Sequence, residues 1–152
     1  MTWYRWLADK LMEAGRYKIV RDYTDPTKIS LVRYYIIKPS RWWPWGVCLH
    51  EIINSDPPEF HDHAFNYFSW ILEGGYVELH AVAPRCVTGQ VCLPGSKRYH
   101  EASRAHRLVL PSGETCWTFF VMLSWHQRKN GFIDPEDWTW YDWETFNARV
   151  KS

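Results

Sequence analysis

Downstream of Gly15 the sequence breaks repeatedly into short runs rich in Tyr, Val, Ile and Trp, each closed off by Pro, Gly or a cluster such as Asn54-Ser55-Asp56. Runs this short leave little room for helices, and β-branched and aromatic side chains fit a pleated, half-buried surface, so the pattern restricts this region to many short strands. Nine segments qualify: Tyr17–Tyr23, Leu31–Lys38, Gly46–Ile53, His61–Leu72, Tyr76–Val82, Thr88–Leu93, Arg98–Ala102, His106–Leu110 and Thr115–Leu123. That many strands points to an all-β barrel or sandwich. Two reversals stand out. Glu73-Gly74-Gly75 supplies the positive φ of a hairpin and Pro111-Ser112-Gly113-Glu114 reads as a tight turn, which makes consecutive strands antiparallel neighbours.

The 152 residues suit one compact unit, with 1–15 as an N-terminal helix, 30–125 as the barrel core and 131–152 as an aromatic closing segment. From Trp3 to Ala14 the residues Trp3, Trp6, Leu7, Lys10 and Leu11 fall on overlapping helical faces, and Gly15 stops the helix. Such a helix caps a barrel end or packs on a sheet. The tail from Gly131, with Trp138, Trp140, Trp143 and Phe146, reads either as a turn of helix or as an irregular clamp.

Composition excludes several classes of partner. Eighteen basic residues against seventeen acidic ones, with neither sign gathered into a run, leave nothing to track a nucleic-acid backbone. No apolar run is long enough to span a membrane. Cys48, Cys86, Cys92 and Cys116 form no CxxC pair, and the N-terminus lacks the apolar stretch of a signal peptide, so free thiols in a reducing cytoplasm are expected. The aromatic content of 18% serves core and pocket lining together, and aromatic-rich strand edges point to a homodimer.

Histidines occur at positions 50, 61, 63, 80, 100, 106 and 126. His61 and His63 form an HxH pair within an expected strand, where side chains two apart project from one face and both imidazoles can converge on one ion. The residues from His61 to Gly75 resemble the first motif of the cupin superfamily, with Gly74 and Gly75 where that motif has its glycine. The run from Gly95 to His106 resembles the second motif in its outer positions. Departures are plain: Tyr67 or Phe68 stands where the first motif has an acidic ligand, Ser55 lies near its leading glycine, and Glu101, Ser103 and Leu110 replace the Pro, Gly and Asn of the second. Beyond the motifs, Leu49-His50-Glu51-Ile52, Ser55-Asp56, His61-Asp62-His63, Gly74 to Glu78, His106-Arg107 and Gly131-Phe132 look like a group of small, mostly uncharacterised bacterial and phage cupins, over roughly residues 30–146.

The resemblance implies a single cupin barrel, a double-stranded β-helix or jelly roll, holding one divalent metal on His61, His63 and His106. A set of three histidines without a carboxylate is similar to that of the thiol dioxygenase branch, which favours Fe(II), although imidazole ligands also suit Zn, Ni, Mn or Cu. Three neutral imidazoles leave coordination positions open, as dioxygen or a chelating substrate requires. Glu78 and Tyr67 are the candidates for supporting catalysis, Glu78 by orienting a ligand histidine and Tyr67 by donating a hydrogen bond. His50, Arg98 and Arg107 are the candidates for contacting a small-molecule substrate, with His50 also an alternative ligand. His80, His100 and His126 lack motif support and read as satisfied or surface residues. No nucleophilic triad, phosphate-cradling loop or carboxylate pair is present. The expected function is therefore a mononuclear non-haem iron oxygenase or dioxygenase acting on a small organic molecule. A non-catalytic cupin binding a small, nucleotide-like molecule is the alternative, and a structural dimerisation barrel the third reading.

Overall fold

The computed structural model describes residues 1–123 and 129–150, so His126 lies outside the described residues. Helix α1 (Trp3–Glu13) leads into β1 (Tyr17–Arg21), β2 (Ile29–Ile37), β3 (Gly46–Ile52), β4 (Phe60–His61), β5 (Asn66–Glu73) and β6 (Tyr76–Ala83). The chain continues through β7 (Cys86–Cys92), β8 (Lys97–His100), β9 (His106–Val109), β10 (Cys116–Leu123), β11 (Gly131–Ile133), β12 (Trp140–Asp142) and helix α2 (Trp143–Val150). These strands sort into two six-stranded antiparallel sheets, ordered β1-β2-β3-β10-β5-β8 and β12-β11-β4-β9-β6-β7. The mostly-β expectation stands, with one correction. Among the described residues no strand pairing joins the sheets, so the closed barrel is replaced by a sandwich with four edges.

The reason lies in the two expected hairpin turns. Gly74 has φ 71°, as anticipated, but β5 and β6 belong to different sheets. The segment Pro111–Thr115 likewise carries the chain from β9 to β10 across the sandwich. Both are corners between sheets, and they pack on each other: a Cβ on Gly74 would lie 2.1 Å from the Thr115 carbonyl oxygen, and one on Gly75 would lie 2.7 Å from that of Cys92. Among the described residues, consecutive strands are hydrogen-bonded neighbours only at β1-β2, β2-β3, β6-β7 and β11-β12.

The expected strand His61–Leu72 divides in the same way, ending at His61 in one sheet and resuming at Asn66 in the other. Between them the buried Asp62 carboxylate accepts the Gly131 N–H at 2.6 Å and the Trp140 indole N–H at 2.9 Å. The Asp62 N–H bonds the Gly131 carbonyl and the His63 N–H the Ala102 carbonyl. The residue between the two histidines therefore ties them to the C-terminal segment. That segment is a short hairpin and a helix, with Phe132 opposite His61 in register and its ring packed on Tyr23, Trp143 and Phe146.

Burial follows strand alternation. On the outer face of the first sheet, Val32, Tyr34, Leu49 and Trp117 meet Tyr4, Ala8 and Leu11 of α1. Tyr4 and Arg5 anchor that helix by hydrogen bonds to Glu73, the last residue of β5. Between the sheets, one apolar cluster contains Ile52, Ile71, Tyr76 and Leu110 and another Tyr35, Phe65, Phe120 and Met122. The same interior also holds His50, Ser69, Glu78, His80, His100, His106 and Thr118, all buried. Polar groups at that depth need partners, and their pairing defines the site.

Gly74→Ala is expected to lower unfolding free energy by roughly 1–3 kcal/mol or more, because the residue adds backbone strain and a clash in a corner that cannot open without displacing β10. Urea denaturation checks this, and a variant as stable as the parent would contradict the packing of the two corners.

Candidate metal centre

His61 closes β4 and His106 opens β9, directly opposite one another in register, while His63 follows β4 into the crossing. The HxH pair thus converges without sharing a strand, a correction to the sequence expectation. Ring centroids stand 5.3 Å apart for His61 and His63, 4.9 Å for His61 and His106, and 5.0 Å for His63 and His106. One ring nitrogen from each lies within 4.8 Å of the others. The closest pair, His63 Nε2 and His106 Nε2, is 2.8 Å apart. Two nitrogens each about 2.0–2.1 Å from a shared ion would lie roughly 3 Å apart at a right angle. Burial lowers the pKa of His61, and it lowers that of His63 well below the ordinary value with His106 adding to the effect. Both rings are held neutral, the form that binds metal.

His106 is oriented from behind. Its Nδ1 lies 2.5 Å from Glu78 Oε1, so the ring proton sits on Nδ1 and the Nε2 lone pair faces His61 and His63. Glu78 is fully buried on β6. Burial by itself would raise its pKa, but the hydrogen bond from His106 and the nearby His80 and His100 rings outweigh it and hold the carboxyl well below the usual range. Three further side chains face the same carboxylate: His100 Nδ1 at 3.4 Å, Arg98 Nε at 3.4 Å and His80 Nε2 at 3.6 Å. Burial brings His100 down to about 4, so it too is a neutral ring at pH 7.

Glu78, His100 and His106 form a second set whose ligand atoms lie within 4.8 Å. It overlaps the first at His106, and access separates the two. A cavity of about 80 Å³ is lined by His61, His63, His106, Tyr67, His50 and Arg33, among others, but by neither Glu78 nor His100. The deeper set is committed to hydrogen bonding around the carboxylate. The three-histidine set faces open space and could hold a divalent ion.

Tyr67 and His50 also reach this cavity. The Tyr67 hydroxyl is 3.3 Å from His106 Nε2, and its ring stacks on His100 at 4.5 Å. Burial and the Glu78 charge push its pKa well above the ordinary value, so it remains a hydrogen-bond donor. His50 Nε2 accepts a 2.9 Å bond from Arg33 Nε and lies 3.3 Å from Cys48 Sγ, which occupies its lone pair. His50 is therefore part of the wall and a support for Arg33. Arg98 and Arg107 lie outside this cavity. Arg98 faces Glu78 and does not line the cavity, while Arg107, next to His106 on an alternating strand, points outward and bonds the Pro58 carbonyl.

Three contributors escaped the sequence reading. His80 and His100, expected to be satisfied or surface residues, are buried beside Glu78. His80 is two residues beyond Glu78 on the same strand, and His100 pairs in register with Tyr67, so strand phase could have flagged the first but not the second. Arg33 sits alone among apolar neighbours in Leu31-Val32-Arg33-Tyr34-Tyr35, in phase with the inward Leu31 and Tyr35, and that isolation was its signal. It also lines an outer cleft of about 520 Å³ together with Lys18, His63, Phe65, Lys129 and Trp143. Arg33 and His63 thus stand at the junction between cleft and inner cavity.

Fold and site together define a two-sheet antiparallel β-sandwich with a candidate three-histidine metal centre. No family model matches the sequence, and no curated protein sequence matches it. Among solved structures, hydroxypropylphosphonic acid epoxidase from S. wedmorenis is similar with a TM-score of 0.55 at 13% identity, over 72% of this chain and 56% of that one. The Fe(II) form of that epoxidase in complex with substrate gives a TM-score of 0.56 at 15% identity, over 72% and 57%. A candidate mannose-6-phosphate isomerase from Ralstonia eutropha JMP134 gives 0.52 at 15% identity, over 62% of this chain and 84% of that one. The chain thus spans little more than half the length of the epoxidase, and the likeness establishes the fold. No helix among the described residues is long and apolar enough to cross a membrane.

Glu78→Gln is expected to weaken divalent metal binding by roughly 10–100-fold, because the amide can present its N–H to His106 and loses the charge that anchors the Nδ1 proton. A competition titration with a chromogenic chelator measures this, and an unchanged affinity would contradict the orienting role of the carboxylate.

Proposed function

We propose that the protein is a mononuclear non-haem iron oxygenase or dioxygenase that oxidises a small organic acid, with His61, His63 and His106 as metal ligands. The observation that carries this reading is the meeting of three imidazoles beside a cavity, with His106 fixed by Glu78 and the other two held neutral by burial. The fold likeness to an Fe(II) enzyme supports the choice of iron over zinc, nickel or manganese. An iron ion held by His61, His63 and His106 would supply dioxygen binding and a change of oxidation state.

The remaining steps belong to the protein. Arg33 commits Nε to His50, which leaves its terminal nitrogens as donors for a carboxylate or phosphonate entering from the cleft. Its place at the junction supports a pose with the acid group on the cleft side and the reacting carbon toward the histidines. Tyr67, kept protonated by burial, donates a hydrogen bond beside His106 to a polar atom of the bound substrate. The inner space of about 80 Å³ admits only a few atoms, while the outer cleft of about 520 Å³ is of a size to take the body of a small molecule.

Protein purified without added metal and then loaded anaerobically with Fe(II) is expected to bind one iron per chain and to consume oxygen with members of a panel of small carboxylates and phosphonates. His61→Ala and His106→Ala are each expected to lose the iron while keeping the β-rich circular dichroism spectrum. Full iron occupancy in either variant would overturn the ligand assignment, and a co-purifying molecule in metal-free protein would favour a binding module. Arg33→Gln is expected to retain iron and raise KM for acidic substrates by roughly tenfold or more, the worth of one charge-assisted hydrogen bond.

A further inference from the structure

The four sheet edges are not protected alike. β1 carries Lys18 and Arg21, β8 carries Lys97 and Arg98, and β12 carries Asp142 and continues directly into α2. Charges and covering elements of this kind keep an edge from pairing with another chain. β7 has neither. Its sequence, Cys86-Val87-Thr88-Gly89-Gln90-Val91-Cys92, contains no charge and no proline, and six of its seven residues are exposed. One side of the strand pairs with β6 along its length, and among the described residues the other is the open edge of the second sheet.

The side chains on one face of this edge are apolar. Val87 is 45% exposed, Val91 64% and Leu93 59%. Val91 and Leu93 border a surface cleft of about 460 Å³ with Val77, Pro94, Val109 and Pro111. The outer face of the other sheet is covered by α1, whereas here apolar side chains remain in contact with water.

The order of residues in β7 indicates what covers them. Read in either direction from Gly89, the strand gives a polar residue, then valine, then cysteine. Antiparallel pairing with an identical strand about a two-fold axis through Gly89 sets Val87 against the partner's Val91, Thr88 against the partner's Gln90, and Cys86 against the partner's Cys92. Each residue meets one of matching character, and the central glycines add no bulk. Such self-complementarity is what a two-fold interface requires, and an unrelated peptide strand would have no use for it. We propose that β7 is a homodimer interface in which two copies pair edge to edge about Gly89, joining their second sheets into one sheet of twelve strands.

The test uses the full chain and a charge exchange that only this register explains. In sedimentation velocity across a concentration series, the parent is expected to dimerise. V87K alone sets a lysine against the partner's Val91 at two symmetric positions, V91E alone sets a glutamate against the partner's Val87, and each is expected to raise the dimer dissociation constant by roughly tenfold or more. The double variant V87K/V91E places opposite charges across both pairs and is expected to recover dimerisation. Both positions are exposed, so native circular dichroism and melting are expected in all variants and serve as the folding control. A parent that stays monomeric to roughly 100 µM, single variants that dimerise like the parent, or a natively folded double variant that fails to recover would each overturn the proposal.

Discussion

An imidazole presents its Nε2 lone pair in a fixed direction only when its other nitrogen is held, and in this protein the holding group is Glu78. The 2.5 Å contact between His106 Nδ1 and Glu78 Oε1 fixes a tautomer, aims a ring and compensates a carboxylate with no access to water. A charge at that depth costs several kcal/mol unless it is paired and hydrogen-bonded. His80, His100 and Arg98 gather around it for that reason, and the polar interior is best understood as an arrangement that keeps Glu78 ionised so that His106 stays oriented.

The sandwich delivers the other participants. His61 and His106 pair across β4 and β9 in one sheet, while Tyr67 and His50 come from β5 and β3 in the other. The site therefore lies between the two sheets and depends on both. Asp62 adds a second dependence, since it carries the chain out of β4 and bonds Gly131 and Trp140. A Cβ on Gly131 would sit 2.2 Å from the Tyr141 carbonyl oxygen, so the hairpin closes tightly on that clamp. The C-terminal aromatic segment thus supports the crossing on which His63 stands.

Much of this was legible from the sequence. Turn-punctuated β-branched runs placed most strand ends up to β10 within a residue or two, though β4 and β5 were read as one strand and β11 and β12 as none; the resemblance to cupin motifs selected the three histidines that converge. Glu78 was legible because strand phase puts it inward beside the expected metal. The route of the chain was not. A glycine with positive φ looks the same in a hairpin as in a corner between sheets, and only the packing of Gly74 against Thr115 distinguishes them. Alternation also predicts that residues share a face without saying what they meet there. Arg98 and Arg107 flank the second motif, yet one turns to Glu78 and the other outward, while Arg33, from a strand without motif, reaches the cavity.

The central claim concerns the atoms around the ion, and X-ray absorption on the iron-loaded protein addresses it most directly. The account predicts three imidazole nitrogens at about 2.0–2.2 Å, with the outer-ring scattering of three histidines and lighter atoms filling the rest of the shell. A shell containing sulfur, or one with fewer than three imidazoles, would contradict it.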